Sequence, residues 1–300
     1  MTPRPLHPWR LSALALVFAL AVPANGQGLG GLLKSITPNL NIGNTAAPAS
    51  GAGGTDLLQM LSESTSNIDE PREIEIGRQL GAVLLGAKPL HPDMALQRYV
   101  NNLGRWISLQ SSRPQLPWSF AVLDDPGFNA FAAPGGYIFI TKGLVDRVDE
   151  AELAGILAHE ITHVTSKHHL NALRTKARAG LATGVAATLL SSQRGNTGAI
   201  ASQFLSLGRS LYSSGLDQGD EFEADRNGVA LAARAGFDPY GLPSVLQQLR
   251  SATPDNGLFA LTLSTHPPAQ QRLEQLETAM GNRLDELSGK PSVSVGQRVR

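Results

Sequence analysis

The chain has 300 residues, with 25 basic and 25 acidic side chains and a formal net charge of zero. Charged residues make up 17%, below the roughly 25% of an average soluble protein, so there is no basic face for phosphate contacts and nucleic-acid binding is excluded. Hydrophobic residues at 42% are enough for a buried core. The absence of cysteine excludes disulfides, thiolate metal sites, Cys nucleophiles and lipid attachment through Cys. Any metal must be held by His and carboxylates.

At the N-terminus, Arg4 and Arg10 precede an apolar run over residues 11–22, followed by Val22-Pro23-Ala24. This pattern predicts a secretory signal over residues 1–24 and export to the periplasm or cell envelope. The run is too short for a membrane span, which needs ~20 residues. Residues 25–67, rich in Gly, Ala, Asn, Ser and Pro, read as a flexible leader. One compact domain is expected over 68–287 and a disordered tail over 288–300. Residues 179–190 are apolar but small and read as a packed helix. No internal repeat is visible, and no repeat array is expected after the domain.

Helical patterns cover residues 71–85 and 92–109. Residues 118–123 and 137–141 read as strands flanking a loop, 124–136. Gly135 and Gly136 allow a tight turn into an edge strand, which could pair with an extended polypeptide. Asn129, Ala130, Phe131, Gly135, Gly136 and Tyr137 are therefore the candidate substrate shelf. Phe131, Tyr137 and Phe139 would serve an ordinary core hairpin equally well. The expected fold class is α+β and mainly helical, with a small antiparallel sheet.

The next helix begins at Asp149, where Glu152 three residues on makes a capping-box start. His159 and His163 lie four apart on it, one turn from each other, so two imidazoles can share one ion. Glu160 between them can face a water on that ion, in the HExxH arrangement of zinc peptidases. His168 and His169 near the end of this helix complement its dipole and are not assigned to metal. A later helix opens in GDEFEADRNG, residues 219–228, capped by Asp217 or Asp220. Glu221 and Asp225 share a face there, and Glu223 points elsewhere. Glu221 is the candidate third ligand. Asp225 is placed to accept a hydrogen bond from a ligand imidazole.

These segments, taken in order, resemble peptidase family M48, which includes HtpX and the β-barrel assembly-enhancing protease. The resemblance rests on EIEIG (73–77), NAFAAPGGYIFITKGL (129–144), ELAGILAHEITHVTSKH (152–168), EFEADRNG (221–228) and THPP (265–268). It implies a gluzincin fold with one Zn2+ on His159, His163 and Glu221. Three protein ligands leave a fourth position for water. Glu160 then acts as general base and passes the proton to the leaving amine. His266, from the T-H-P position, is the candidate oxyanion donor; capping the zinc at rest and a purely structural role stay open. The implied partners are polypeptides, unfolded or outer-membrane proteins, with peripheral membrane association. Three departures stand out: no lipid-bearing Cys, no C-terminal repeat array and no Arg shortly before the ligand Glu. The expected function is an exported zinc metalloendopeptidase of envelope quality control, with a non-proteolytic chaperone of the same fold as alternative.

Overall fold

The computed structural model describes residues 68–182, 215–252, 257–291 and 293–299. The signal and leader segments lie outside these residues, as does most of 179–190. No helix among the described residues is long and apolar enough to cross a membrane.

The chain opens with helices α1 (Glu70–Ala87) and α2 (Met94–Ser108). Each starts on an aspartate whose carboxylate accepts first-turn amides: Asp69 from Arg72, and Asp93 from Ala95 and Leu96. Three strands follow, β1 (Ser119–Leu123), β2 (Ala130–Ala133) and β3 (Tyr137–Thr141). Then come a short helix α3 (Lys142–Val145), α4 (Glu150–Thr165) and α5 (His168–Ala182). After these lie α6 (Gln218–Arg234), α7 (Gly241–Ser251), α8 (Ala260–Thr265), α9 (Ala269–Met280) and α10 (Val295–Val299).

The sheet differs from the expectation in two ways. It is mixed, because β1 runs parallel to β3 while β2 pairs antiparallel to it. The strand order among the described residues is β1-β3-β2, so β3 is central and β1 and β2 are the outer strands. The sequence Ala130-Phe131-Ala132-Ala133 carries little strand propensity, since Ala is depleted in strands. Pairing of Phe131 with Phe139 and Ala132 with Ile138 makes it a strand.

Within the segment expected to be a disordered tail, the described residues 293–299 lie against the core. The Glu150 amide donates to the Val293 carbonyl at 2.8 Å. Val295 is buried and α10 packs on α2. One apolar side chain and a short bridge between Asp149 and Ser294 anchor an otherwise polar segment at the start of α4.

The central element is α4. Its capping box is complete: the Glu152 amide donates to Asp149 Oδ1 at 2.8 Å, and the Asp149 amide to Glu152 Oε2 at 3.0 Å. From Glu152 to Val164 every residue is buried, so this is an interior helix rather than an amphipathic one. It packs against α2, α6, α7 and the edge strand β2.

Two glycines set the closest approaches. A Cβ on Gly155 would lie 2.6 Å from the Leu242 amide nitrogen of α7. A Cβ on Gly228 would lie 2.9 Å from both the Cα and the N of His159. Glu221, Asp225 and Gly228 lie at i, i+4 and i+7 on α6, on one face. The backbone contact at Gly228 therefore draws both carboxylates toward α4.

A second anchor fixes the β2–β3 turn. Glu73 of α1 is completely buried. It accepts from Arg113 Nη1 at 2.7 Å, from Arg113 Nη2 at 3.0 Å and from the Gly135 amide at 3.2 Å. Lys167 Nζ, just past α4, lies 3.3 Å from the same carboxylate. One turn along α1, a Cβ on Gly77 would collide with the Pro134 carbonyl oxygen at 1.7 Å. The EIEIG segment thus joins α1, the turn beside the edge strand and the end of α4.

Gly228→Ala should push α6 off α4 and cost ~1–3 kcal/mol, as overpacking does. Gly219→Ala in the same helix adds a Cβ that meets nothing within 4 Å and should leave stability unchanged or slightly higher. Urea denaturation of both variants checks this; equal midpoints would contradict it.

Candidate active site

Four side chains from two helices and the residue that ends α8 converge at the face of α4. His159 Nε2 and His163 Nε2 are 3.0 Å apart, one turn from each other. Glu221 of α6 sits over both, 3.7 Å from His159 Nε2 and 3.6 Å from His163 Nε2. His266, the residue that ends α8, brings Nε2 to 3.8 Å from Glu221 Oε2. His159, Glu221 and His266 each offer a ligand atom within 4.8 Å of the others. His163 completes the cluster from the other side.

The surroundings fit a cation. Glu221 Oε2 is buried and accepts no hydrogen bond, a costly state for a carboxylate in an apolar interior. Burial raises the Glu221 pKa, opposed by the neighbouring His159 and Arg272. Burial also holds the His159 and His163 rings below their usual pKa, in the neutral form that binds metal. Two lone-pair nitrogens and an unpaired carboxylate oxygen aimed at one point are the donor set of a zinc site.

Behind the site runs a buried chain of charge. His159 Nδ1 is 2.9 Å from Asp225 Oδ1. Asp225 accepts from Arg272 Nε at 2.8 Å and from Nη2 at 2.5 Å. Burial works against the Asp225 carboxylate, yet the Arg272 charge and these paired bonds hold it well below the usual range. With its Nδ1 proton on Asp225, His159 presents the Nε2 lone pair to the site. Sequence reasoning missed Arg272. The available signal is its position six residues after His266, at the start of α9.

Glu160 follows His159 and lines the cleft with Asn129, Ala130, Phe131, Ala132, His163, Glu221 and His266. Burial, then the Glu221 charge, pushes its pKa up to about 8. His266 is held neutral by burial, down to about 4. Its Nδ1 lies 3.2 Å from the Thr262 carbonyl oxygen, which can only accept. The Thr265 hydroxyl lies 3.0 Å from the same nitrogen; with the Nδ1 proton on the Thr262 carbonyl, Nε2 shows the cluster a lone pair. In this tautomer His266 is a ligand or acceptor. The expected oxyanion-donor role requires protonation or a change of tautomer.

The substrate-shelf residues divide. Asn129, Ala130 and Phe131 line the cleft. Gly135, Gly136 and Tyr137 do not appear among its described lining residues. Gly135 (φ 76) packs on the Ile74 backbone and Gly136 (φ 100) on Trp118, so they shape the turn. Glu223 is not a loose surface charge, because it accepts from Ser166 Oγ at 2.7 Å. Asp217 stands at the N-cap of α6 without a side-chain capping bond.

Asp225→Asn leaves the Arg272 charge buried and uncompensated and should cost ~3–5 kcal/mol. Asp225→Leu with Arg272→Met should recover much of that stability but not zinc affinity, since His159 has lost its anchor. Urea titration in chelator and zinc competition report the two effects separately. Glu160 gives a pH signature in the metal-free protein. The fold keeps its proton up to about pH 8, whereas the unfolded carboxyl releases it near 4.5. This contribution is fully present below pH 4.5 and is lost as pH rises toward 8. The stability difference between wild type and Glu160→Gln should therefore fall across that window in thermal unfolding. A flat difference would refute it.

The chain matches the sequence profile of peptidase family M48 over residues 93–280. It is 30% identical over 248 residues to the β-barrel assembly-enhancing protease of Escherichia coli (strain K12), covering 81% of this chain and 50% of that protein. It is 30% identical over 181 residues to the mitochondrial metalloendopeptidase OMA1 of Schizosaccharomyces pombe, covering 60% of this chain and 51% of that one. It is 27% identical over 186 residues to the metalloprotease LoiP of Escherichia coli (strain K12), covering 62% and 69%. The chain spans about half the length of the assembly-enhancing proteases it matches. The matched residues hold the HExxH helix, the helix of Glu221 and Asp225, and the His266–Arg272 segment, and the chain belongs to peptidase family M48.

Proposed function

We propose that this protein is a zinc-dependent metalloendopeptidase that cleaves unfolded or misassembled polypeptides in the cell envelope. The observation that carries the reading is the convergence of His159, His163 and an unpaired Glu221 oxygen beside Glu160. Zinc held by these three residues would supply a Lewis acid that polarises the scissile carbonyl and acidifies water.

The rest of the chemistry belongs to the chain. Glu160 takes the proton of the attacking water and hands it to the leaving amine. Its raised pKa suits a group that must both accept and return a proton near neutrality. Arg272 holds Asp225, and Asp225 holds His159 in the tautomer that faces the site. His266 shares the site at rest and must give up its place, or take a proton at Nε2, when a carbonyl enters.

Substrate binding follows from the edge of the sheet. β2 pairs with β3 on one side and faces the cleft on the other. An extended substrate segment would lie along Asn129, Ala130 and Phe131, which line the cleft. An apolar recess lined by Leu144, Ile156, Val245, Leu246 and Leu249 shares Glu160 and His266 with the cleft. An edge strand and an apolar recess both favour chains whose backbone and apolar side chains are exposed, which folded proteins withhold. The names of the bacterial relatives support an envelope setting, as does the N-terminal signal pattern.

Zinc content and casein cleavage of wild type and Glu160→Gln test the reading. One zinc per chain in both is expected, with cleavage reduced about 10²- to 10⁴-fold in the variant. A folded protein without zinc would refute it. So would undiminished cleavage by Glu160→Gln. Normal cellular function of that variant would favour a chaperone.

A further inference from the structure

The two ligand imidazoles of α4 are held by different partners. His159 turns its Nδ1 to the carboxylate of Asp225. His163 turns its Nδ1 to a second imidazole, with His168 Nδ1 at 3.0 Å. The two rings meet edge to face at 74°, with centroids 5.1 Å apart. His168 is the first residue of α5, and a left-handed residue, Lys167 (φ 59), reverses the chain just before it. That reversal carries the His168 ring back against the end of α4, where it is buried.

The far nitrogen of His168 faces acid. Its Nε2 lies 3.7 Å from Asp220 Oδ1 and 3.8 Å from Glu223 Oε1, both in the first two turns of α6. Ser166 Oγ holds Glu223 in place at 2.7 Å. The side chains of Asp220 and Glu223 are 36% and 44% exposed, so the chain of contacts runs from the site to solvent.

Proton placement follows from these contacts. When His163 gives its Nε2 lone pair to a metal, its one ring proton sits on Nδ1. That N–H needs an acceptor, and His168 Nδ1 is the partner at hydrogen-bond distance. As acceptor at Nδ1, His168 carries its own proton on Nε2, on the side of the two carboxylates. Every proton in the chain then has one place.

We propose that His168 is a positioning residue for the metal site: it fixes the ring and tautomer of His163, with Asp220 and Glu223 fixing His168 in turn. This rests on the reading of His159, His163 and Glu221 as ligands. It replaces the expectation of His168 as a cation serving the helix dipole. It also gives a task to each acidic residue of the DEFEAD segment: Glu221 to the metal, Asp225 to His159, and Asp220 and Glu223 to His168.

The test is zinc affinity, measured on the full chain by competition with a chromophoric chelator. His168→Leu keeps bulk and removes the acceptor; it should weaken zinc binding about 10- to 100-fold. His168→Asn places an amide oxygen near the former Nδ1; it should bind within about threefold of wild type. The cobalt(II) absorption spectrum should shift in the Leu variant and return in the Asn variant. A merely structural role would lower the metal-free thermal midpoint in both variants and leave the spectrum alone. Zinc binding by His168→Leu within about twofold of wild type would overturn the proposal. So would an Asn variant as weak as Leu. If His168→Leu does not fold, Asp220→Asn with Glu223→Gln decides on partly exposed positions: a loss of about threefold or more supports it and no loss overturns it. Wild type that binds no zinc would sink the ligand reading itself, a result distinct from all of these.

Discussion

The site depends on one close contact, the backbone of α4 against α6 at His159 and Gly228. Helices approach this closely only where a side chain is missing. The missing Cβ of Gly228 lets α6 rest on the Cα of His159. Because Glu221 and Asp225 share a face with that glycine, the approach that packs the core also delivers the carboxylates. Asp225 reaches the back of the His159 ring, and Glu221 reaches the front of both imidazoles.

That packing places four buried acidic and basic groups together, and their arrangement decides which are satisfied. Asp225 and Arg272 neutralise each other through two short bonds. Glu221 is left with an oxygen that accepts no hydrogen bond, with the Arg272 guanidinium no nearer than 3.9 Å. A buried carboxylate oxygen without a hydrogen bond, beside neutral imidazoles, is unfavourable for the empty fold and favourable for a bound dication. Stability given up here would be recovered on binding a metal ion. The same logic explains the raised pKa of Glu160, whose charge is disfavoured by burial and by Glu221 until a cation arrives.

The wall opposite the helices is fixed by a second buried group. Glu73 gathers Arg113, the Gly135 amide and Lys167 around one carboxylate. It therefore ties the turn after β2 to the end of the helix that carries the histidines. The edge strand and the metal-facing helix are held in one frame by contacts outside the cleft. The EIEIG segment, whose resemblance alone gave it no role, owes its spacing to this. Glu73 meets the turn through its carboxylate, and Gly77, one turn on, through a missing side chain.

How much could be read in advance follows from the range of each interaction. The start of α4, the spacing of His159, Glu160 and His163, and the shared face of Glu221 and Asp225 are local. Helical periodicity and capping chemistry fix them within a few residues, so they were legible. The third and fourth corners of the site are not local. Arg272 meets Asp225 across 47 positions of sequence, and no period relates them. His168 was visible as a histidine near a helix end, but only the left-handed turn at Lys167 aims its ring at His163. β2 was hidden because Ala-Phe-Ala-Ala lacks strand propensity, and its partner strand alone gives it that conformation. The last residues looked like a tail because their composition is polar, although one buried valine docks them. The sequence by itself determined the chemistry, namely which side chains stand one turn apart on which helix, because helix geometry converts spacing into direction. Tertiary structure decided which groups face one another and which oxygen is left unpaired, because those outcomes depend on how closely distant backbones approach.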